Sequence, residues 1–212
     1  MTDPNLSKLL QWSLANQGEN QEGQSTEGRQ APPLDPALLS ALFGGGPSDA
    51  DLMKAAIECV ASSDSEITLE SKLIAFDNFE QLIENLDNAN NIATLSLWKP
   101  LLGCLAHEEA EIRKMAAWCV GTAVQNNVTS QEKLLAEGGI PTLVALATNE
   151  AEDKTVRRKS VYALSSACRN YQPAMDLAVE ELGKKGYEHG KIDAQDMNAV
   201  DAVMNPLKEL AK

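Results

Sequence analysis

The residue types that most often carry catalysis are few in this 212-residue chain, and they are poorly spaced for it. The histidines are His107 and His189. Neither lies in an HExxH, HxH or CxxH arrangement, and two isolated imidazoles make a poor transition-metal site. His107 follows Cys104 by three residues, which would put both on one helical face, the proximity a thiolate–imidazole nucleophile needs. The acidic residues beside it, Glu108 and Glu109, would raise that thiol's pKa instead of lowering it. The carboxylate pairs Glu108–Glu109 and Glu180–Glu181 are adjacent in sequence. Their members therefore do not share a helical face, and they read as solvated charge. Gly44-Gly45-Gly46-Pro47 lacks the GK[ST] ending and the preceding strand of a phosphate-binding loop. No nucleophile-elbow, kinase or calcium-loop pattern occurs. The expectation is a chain with no catalytic residue, no metal and no cofactor, whose work is binding.

Composition narrows what it binds. Lys and Arg number 18 against 31 Asp and Glu, a net charge of −13. That field repels nucleic-acid phosphates and anionic membranes, and no Arg/Lys-rich stripe offsets it. A local basic patch would instead favour an acidic protein surface. Apolar residues make up 43%, enough for a core, while aromatics are only 4%, which argues against strands. Cys59, Cys104, Cys119 and Cys168 contain no CxxC pair and read as free, mostly buried thiols of a reducing compartment. With no secretory signal and no run of 18 apolar residues, a cytoplasmic protein is expected, monomeric on its own.

The elements are helices throughout. Leu6, Leu9, Leu10 and Leu14 have helical spacing, with Trp12 off their stripe, in a segment too short to be stable alone. Residues 17–33 have the Gln-, Gly- and Glu-rich composition of a disordered linker. Asp35-Pro36 opens a short helix on Leu38, Leu39 and Leu42. Further helices are expected at 49–61, on Leu52, Ala55, Ala56, Cys59 and Val60, and at 68–86, on Leu69, Leu73, Phe76, Phe79, Leu82, Ile83 and Leu86. An amide-rich turn is expected at 87–91. Helices should follow at 95–106, 110–125, 131–137 capped by Ser130 or Thr129, 142–148, 155–169, 174–183 and 193–211, the last containing Pro206. Gly183, Gly186 and Gly190 should loosen the chain before it. The expected organisation is an N-terminal helical segment (1–17), a linker (18–33), a repeat domain (34–192) and a C-terminal capping helix (193–212).

Residues 111–127 and 155–171 align without a gap, an offset of 44. Ile112 falls on Val156, Arg113 on Arg157, Lys114 on Arg158, Trp118 on Tyr162, Gly121 on Ser165 and Asn126 on Asn170. A weaker copy lies at 69–91. A period of 40–47 in an all-helical chain is the armadillo/HEAT signature. Helix pairs or trios too small to bury their own apolar faces stack into one continuous core, and small residues such as Gly121 allow close approach. The predicted fold is an all-α, right-handed armadillo-like α-solenoid with a flexible N-terminal segment. In armadillo-type units the last helix of each repeat lines the concave face, here 111–126 and 155–170. The cations at their starts, Arg113, Lys114, Arg157, Arg158 and Lys159, sit at the unfavourable end of a helix dipole. They answer either the nearby acidic turns or a partner. Trp98, Trp118 and Tyr162 are expected to pack in the core.

Six segments are specific enough to carry a family resemblance: LSKLLQWSLAN (6–16), KLIAFDNFEQLIENLDNANN (72–91), LWKPLLGCL (97–105), EIRKMAAWCVGTAVQNN (111–127), GGIPTLVAL (138–146) and RRKSVYALSSACRNY (157–171). With these the chain resembles the armadillo-repeat nucleotide exchange factors of cytosolic 70-kDa heat-shock chaperones, in particular the fungal Fes branch. The resemblance implies that the concave face clasps one lobe of the chaperone's ATPase domain. The cleft then opens, ADP leaves and client is released. It also implies that the N-terminal segment, with Leu6, Leu9, Leu10 and Trp12, discourages client rebinding. By analogy the partner-binding residues are Arg113, Asn126, Asn127, Arg157, Arg158, Arg169 and Asn170, the asparagines having helix-capping as their other role. The alternative is a generic armadillo scaffold or peptide-binding adaptor. Such adaptors carry asparagine ladders with tryptophans across many repeats, whereas here only Trp118 lies on a repeated inner helix.

Overall fold

In a computed structural model, the structure describes residues 47–212. The expected segments at 6–16, 17–33 and 35–42 lie outside the described residues. Asp49–Lys212 form one compact unit.

Ten α-helices follow one another in it: α1 (Asp49–Ala61), α2 (Leu69–Ile83), α3 (Leu86–Thr94), α4 (Trp98–Gly103), α5 (Ala110–Val124), α6 (Val128–Ala136), α7 (Gly139–Thr148), α8 (Lys154–Cys168), α9 (Gln172–Gly183) and α10 (Met197–Leu210). No strand occurs among the described residues. The three 15-residue helices α2, α5 and α8 pack side by side, α2 on α5 and α5 on α8, with α1 flanking α2 and α10 flanking α8. The shorter α3, α6, α7 and α9 form a second row behind them. The long helices thus occupy equivalent places in the stack, and the weak copy expected at 69–91 coincides with α2 and α3.

The apolar stripe read from α5 is the buried one: Ile112, Met115, Ala116, Cys119, Val120 and Ala123 all lie in the core. Gly121 supplies the close approach expected of it. A Cβ there would stand 2.4 Å from a ring carbon of Tyr162.

The structure corrects several local expectations. The amide-rich stretch 87–91 is helix, not turn. The preceding helix stops at Ile83 with Glu84 as its C-cap, and Asn85 caps α3, its side chain accepting from the N–H groups of Asp87 and Asn88. The Asn88 amide then donates to Asp49 at 2.8 Å and to the Leu82 carbonyl at 3.0 Å, so this amide serves tertiary structure. Residues 95–106 are a short helix continued by a 3₁₀ turn (Cys104–Ala106). The cap of α6 is Asn127, not Ser130 or Thr129, and the helix starts at Val128. In α1 the buried residues are Met53, Ala56, Ile57 and Val60, while Leu52 and Ala55 face out. This helix has two overlapping apolar stripes, and the one that faces α2 is the one buried. Beyond the three glycines, the end of the loop before α10 is tied down. Gln172 bonds the Ile192 carbonyl and the Ala194 N–H, and Asn170 N–H donates to the Ala194 carbonyl.

Candidate partner-binding face

Of the seven residues proposed to meet a partner, three are bonded within the fold and a fourth, Arg157, is buried. Arg113 donates to both carboxylate oxygens of Glu152, at 2.8 and 2.6 Å, and to the carbonyls of His107 and Glu108, both at 2.7 Å. It fastens the turn before α5 to the turn before α8. Burial works against the charge of Glu152, but the bonds from Arg113 and from the Asp153 N–H outweigh it and hold the carboxyl below its usual range. Asn127 is buried. It accepts from the Ser130 N–H and donates to the Ala123 carbonyl and the Ser130 hydroxyl. Arg157 is 7% exposed, and its Nε has no hydrogen-bond partner among the described residues. Arg169 is tied to α10 through Asp201, with Ser165 Oγ bonded to its Nε.

The remaining three are exposed. Asn126 and Asn170 end α5 and α8 in the left-handed region, φ +53° and +59°, which asparagine tolerates better than most side chains. This is the helix-terminating role left open by the sequence. Arg158 faces outward from α8 and takes part in no ion pair among the described residues.

Around Arg158 the structure assembles residues that were not singled out together. An open depression between α5 and α8 is lined by Lys114, Trp118, Thr155, Arg158, Lys159 and Tyr162. Lys159 Nζ lies 3.4 Å from the centre of the Trp118 ring and 5.7 Å from that of Tyr162, a cation–π arrangement. Burial, reinforced by Arg158 and Lys114, holds the Lys159 ammonium below the usual lysine range, with Glu80 pulling the other way. Tyr162 lies against Gly121, and its hydroxyl donates to Gln125 at 3.0 Å. Next along the face, Thr122 donates to the buried Glu80 at 2.7 Å, linking α5 to α2. Trp98 is buried as expected, but Trp118 and Tyr162 are only partly so and line the groove. The sequence carried a signal for them. Trp118 with Tyr162, and Lys114 with Arg158, are equivalent positions of consecutive units. Lys159 falls on Met115 and had no such counterpart.

Gln131 also escaped sequence reading. Its buried amide donates to the carbonyls of Ser166, Ala167 and Arg169, satisfying the open end of α8 from α6. Burial pushes the Cys104 thiol up to about 11, and the nearby Lys72 offsets this only in part. The cause is burial, not the neighbouring carboxylates. Among the described residues no helix is long and apolar enough to cross a membrane.

Residues 6–92 match the family model described as nucleotide exchange factor Fes1, and residues 88–184 match the SIL1/FES1/HPBP1 C-terminal domain. The chain is 62% identical to the Hsp70 nucleotide exchange factor FES1 of Gibberella zeae, over 99% of this chain and 98% of the relative. It is 50% identical to the Hsp70 nucleotide exchange factor fes-1 of Neurospora crassa, over 99% of both chains. A crystal structure of an engineered protein from the Northeast Structural Genomics Consortium superposes with a TM-score of 0.54 at 19% identity, covering 82% of this chain and 71% of that one, a likeness of fold alone.

Proposed function

The chain belongs to the Fes1 family of nucleotide exchange factors, and on that premise we propose that it binds the ATPase domain of a cytosolic 70-kDa heat-shock chaperone and opens its nucleotide cleft. The observation that carries this reading is 62% identity sustained across nearly the whole of both chains. The stacked long helices supply the means, a firm surface against which one lobe of another protein can be held while the other lobe yields. The energetic requirement is linkage: the factor must bind the open, nucleotide-poor chaperone better than the closed ADP form, and only that difference shifts the equilibrium. ADP then leaves, ATP enters and client is released. The factor itself makes and breaks no covalent bond, and it works in the cytosol.

Of the proposed contact residues, Arg158 is the one free to meet the chaperone directly, with Asn126 and Asn170 exposed at the helix ends. Arg113, Asn127 and Arg169 serve the same surface by fixing the helices that carry it, while Arg157 is buried. The test is release of labelled ADP from a cytosolic 70-kDa chaperone. Micromolar factor should accelerate it, and an unchanged rate would end the reading. Removing residues 1–17 should leave ADP release intact and slow client release when client is in excess. Equal client-release rates for the two forms would remove the accessory role.

A further inference from the structure

We propose that the slot between α5 and α8 is an acid-specific grip, in which Arg158 and Lys159 take carboxylates from an acidic patch of the chaperone's ATPase domain while Trp118 and Tyr162 frame the contact. The chemistry of this grip rests on the exchange-factor reading for the identity of its occupant.

Three observations point to an acidic occupant. In a chain with 13 more acidic than basic residues, the lining of this groove contains three cations and no carboxylate. Lys114 is engaged by Glu111 on its own helix, but among the described residues neither Arg158 nor Lys159 makes an ion pair; Lys159 has aromatic rings for close partners, with the buried Glu80 carboxylate acting on it only through space. The slot is also built in advance. Tyr162 is seated against Gly121 and held by Gln125, and Trp118 fixes the Lys159 ammonium, so little side-chain freedom is left to lose on binding. Lys159 is already partly stripped of water, so a carboxylate meets a cation that has less hydration left to give up.

The whole-molecule charge selects protein over nucleic acid. A long polyanion would extend past the groove into the field of the remaining acidic surface. A compact acidic patch feels the local cations, because charges beyond about 8 Å are screened at physiological salt.

Two measurements test the grip. In the full chain carrying Trp12→Phe, a short polyglutamate peptide, compact enough to stay within the groove, should change tryptophan emission saturably above the constant background of the buried Trp98, added salt should reverse the change, and polylysine should produce none. Lys159→Met should abolish the response. Absence of a saturable change, or an equal one in Lys159→Met, overturns the proposal. In calorimetry with the chaperone's ATPase domain, Arg158→Glu/Lys159→Glu, with helix content checked by circular dichroism, should bind about tenfold or more weakly and with a flatter salt dependence, as expected when close charge pairs are lost. Unchanged affinity beside a binding wild type overturns the grip and leaves the exchange-factor reading standing. A wild type that responds to polyglutamate but neither binds the ATPase domain nor speeds ADP release overturns the chaperone as occupant.

Discussion

At the scale of single residues, the cations at the starts of the long helices divide by environment. Arg113 and Arg158 stand at neighbouring positions of consecutive repeats, yet one is consumed by the fold and the other is not. Arg113 holds Glu152 and two carbonyls, so Arg113→Met would leave a largely buried carboxylate with only the Asp153 N–H and would take the Arg113 donor from the carbonyls of His107 and Glu108. The expected cost is ~3 kcal/mol in urea unfolding at neutral pH. The pH dependence has a definite sign. The folded carboxyl of Glu152 is held below its unfolded value, so its stabilisation is complete above the unfolded pKa of about 4.3 and is lost as pH falls through the folded value. Glu152→Gln should therefore be less stable than wild type at neutral pH, and the gap should close in acid. A gap that persists unchanged at about pH 2, below both values, would show that the carboxylate charge is not what stabilises. The sequence offered an acidic turn as one of two partners for Arg113 but could not choose between them, because Glu152 lies 39 residues away in a different turn.

At the scale of elements, the junctions between units hold the face in register. Gly121→Ala would gain helix propensity of about 1 kcal/mol. It would also drive a methyl group into the Tyr162 ring and toward the Ala163 backbone, an overpacking cost of roughly 1–3 kcal/mol. A net loss of stability in thermal melting, with weakened polyglutamate binding as Tyr162 shifts, is the expected outcome. Asn127→Ala removes a cap, typically ~1 kcal/mol, and strands further buried polar groups. Gln131→Leu should cost more than a surface substitution of the same size, because it leaves the last carbonyls of α8 without donors. The helix periodicities were legible from the spacing of apolar residues. The boundaries were less so, because Asn85 and Asn127 are caps only when the chain turns there, and an asparagine run reads equally as turn or as polar helix face.

At the scale of the whole described unit, stacked repeats contact mainly their neighbours, and stability is close to a sum over units and interfaces. Ending the chain at residue 192 would remove α10, uncover α8 and leave Arg169 without Asp201. Hydrogen exchange should then quicken first in α8 and α9 and last around α2 and α5. Uniform loss of protection along the chain would mean that the unit unfolds as one. The sequence alone determined the all-helical class, the repeat and its offset, the apolar stripe of α5 and the family, because each is written in local spacing or in long runs of residues. Only the tertiary structure decided which cations remain free, which asparagines are buried and that Trp118, Lys159 and Tyr162 share one groove. Those outcomes depend on what the adjacent unit presents, and one-dimensional periodicity does not specify which of two acceptable partners, a neighbouring turn or another protein, a side chain will take.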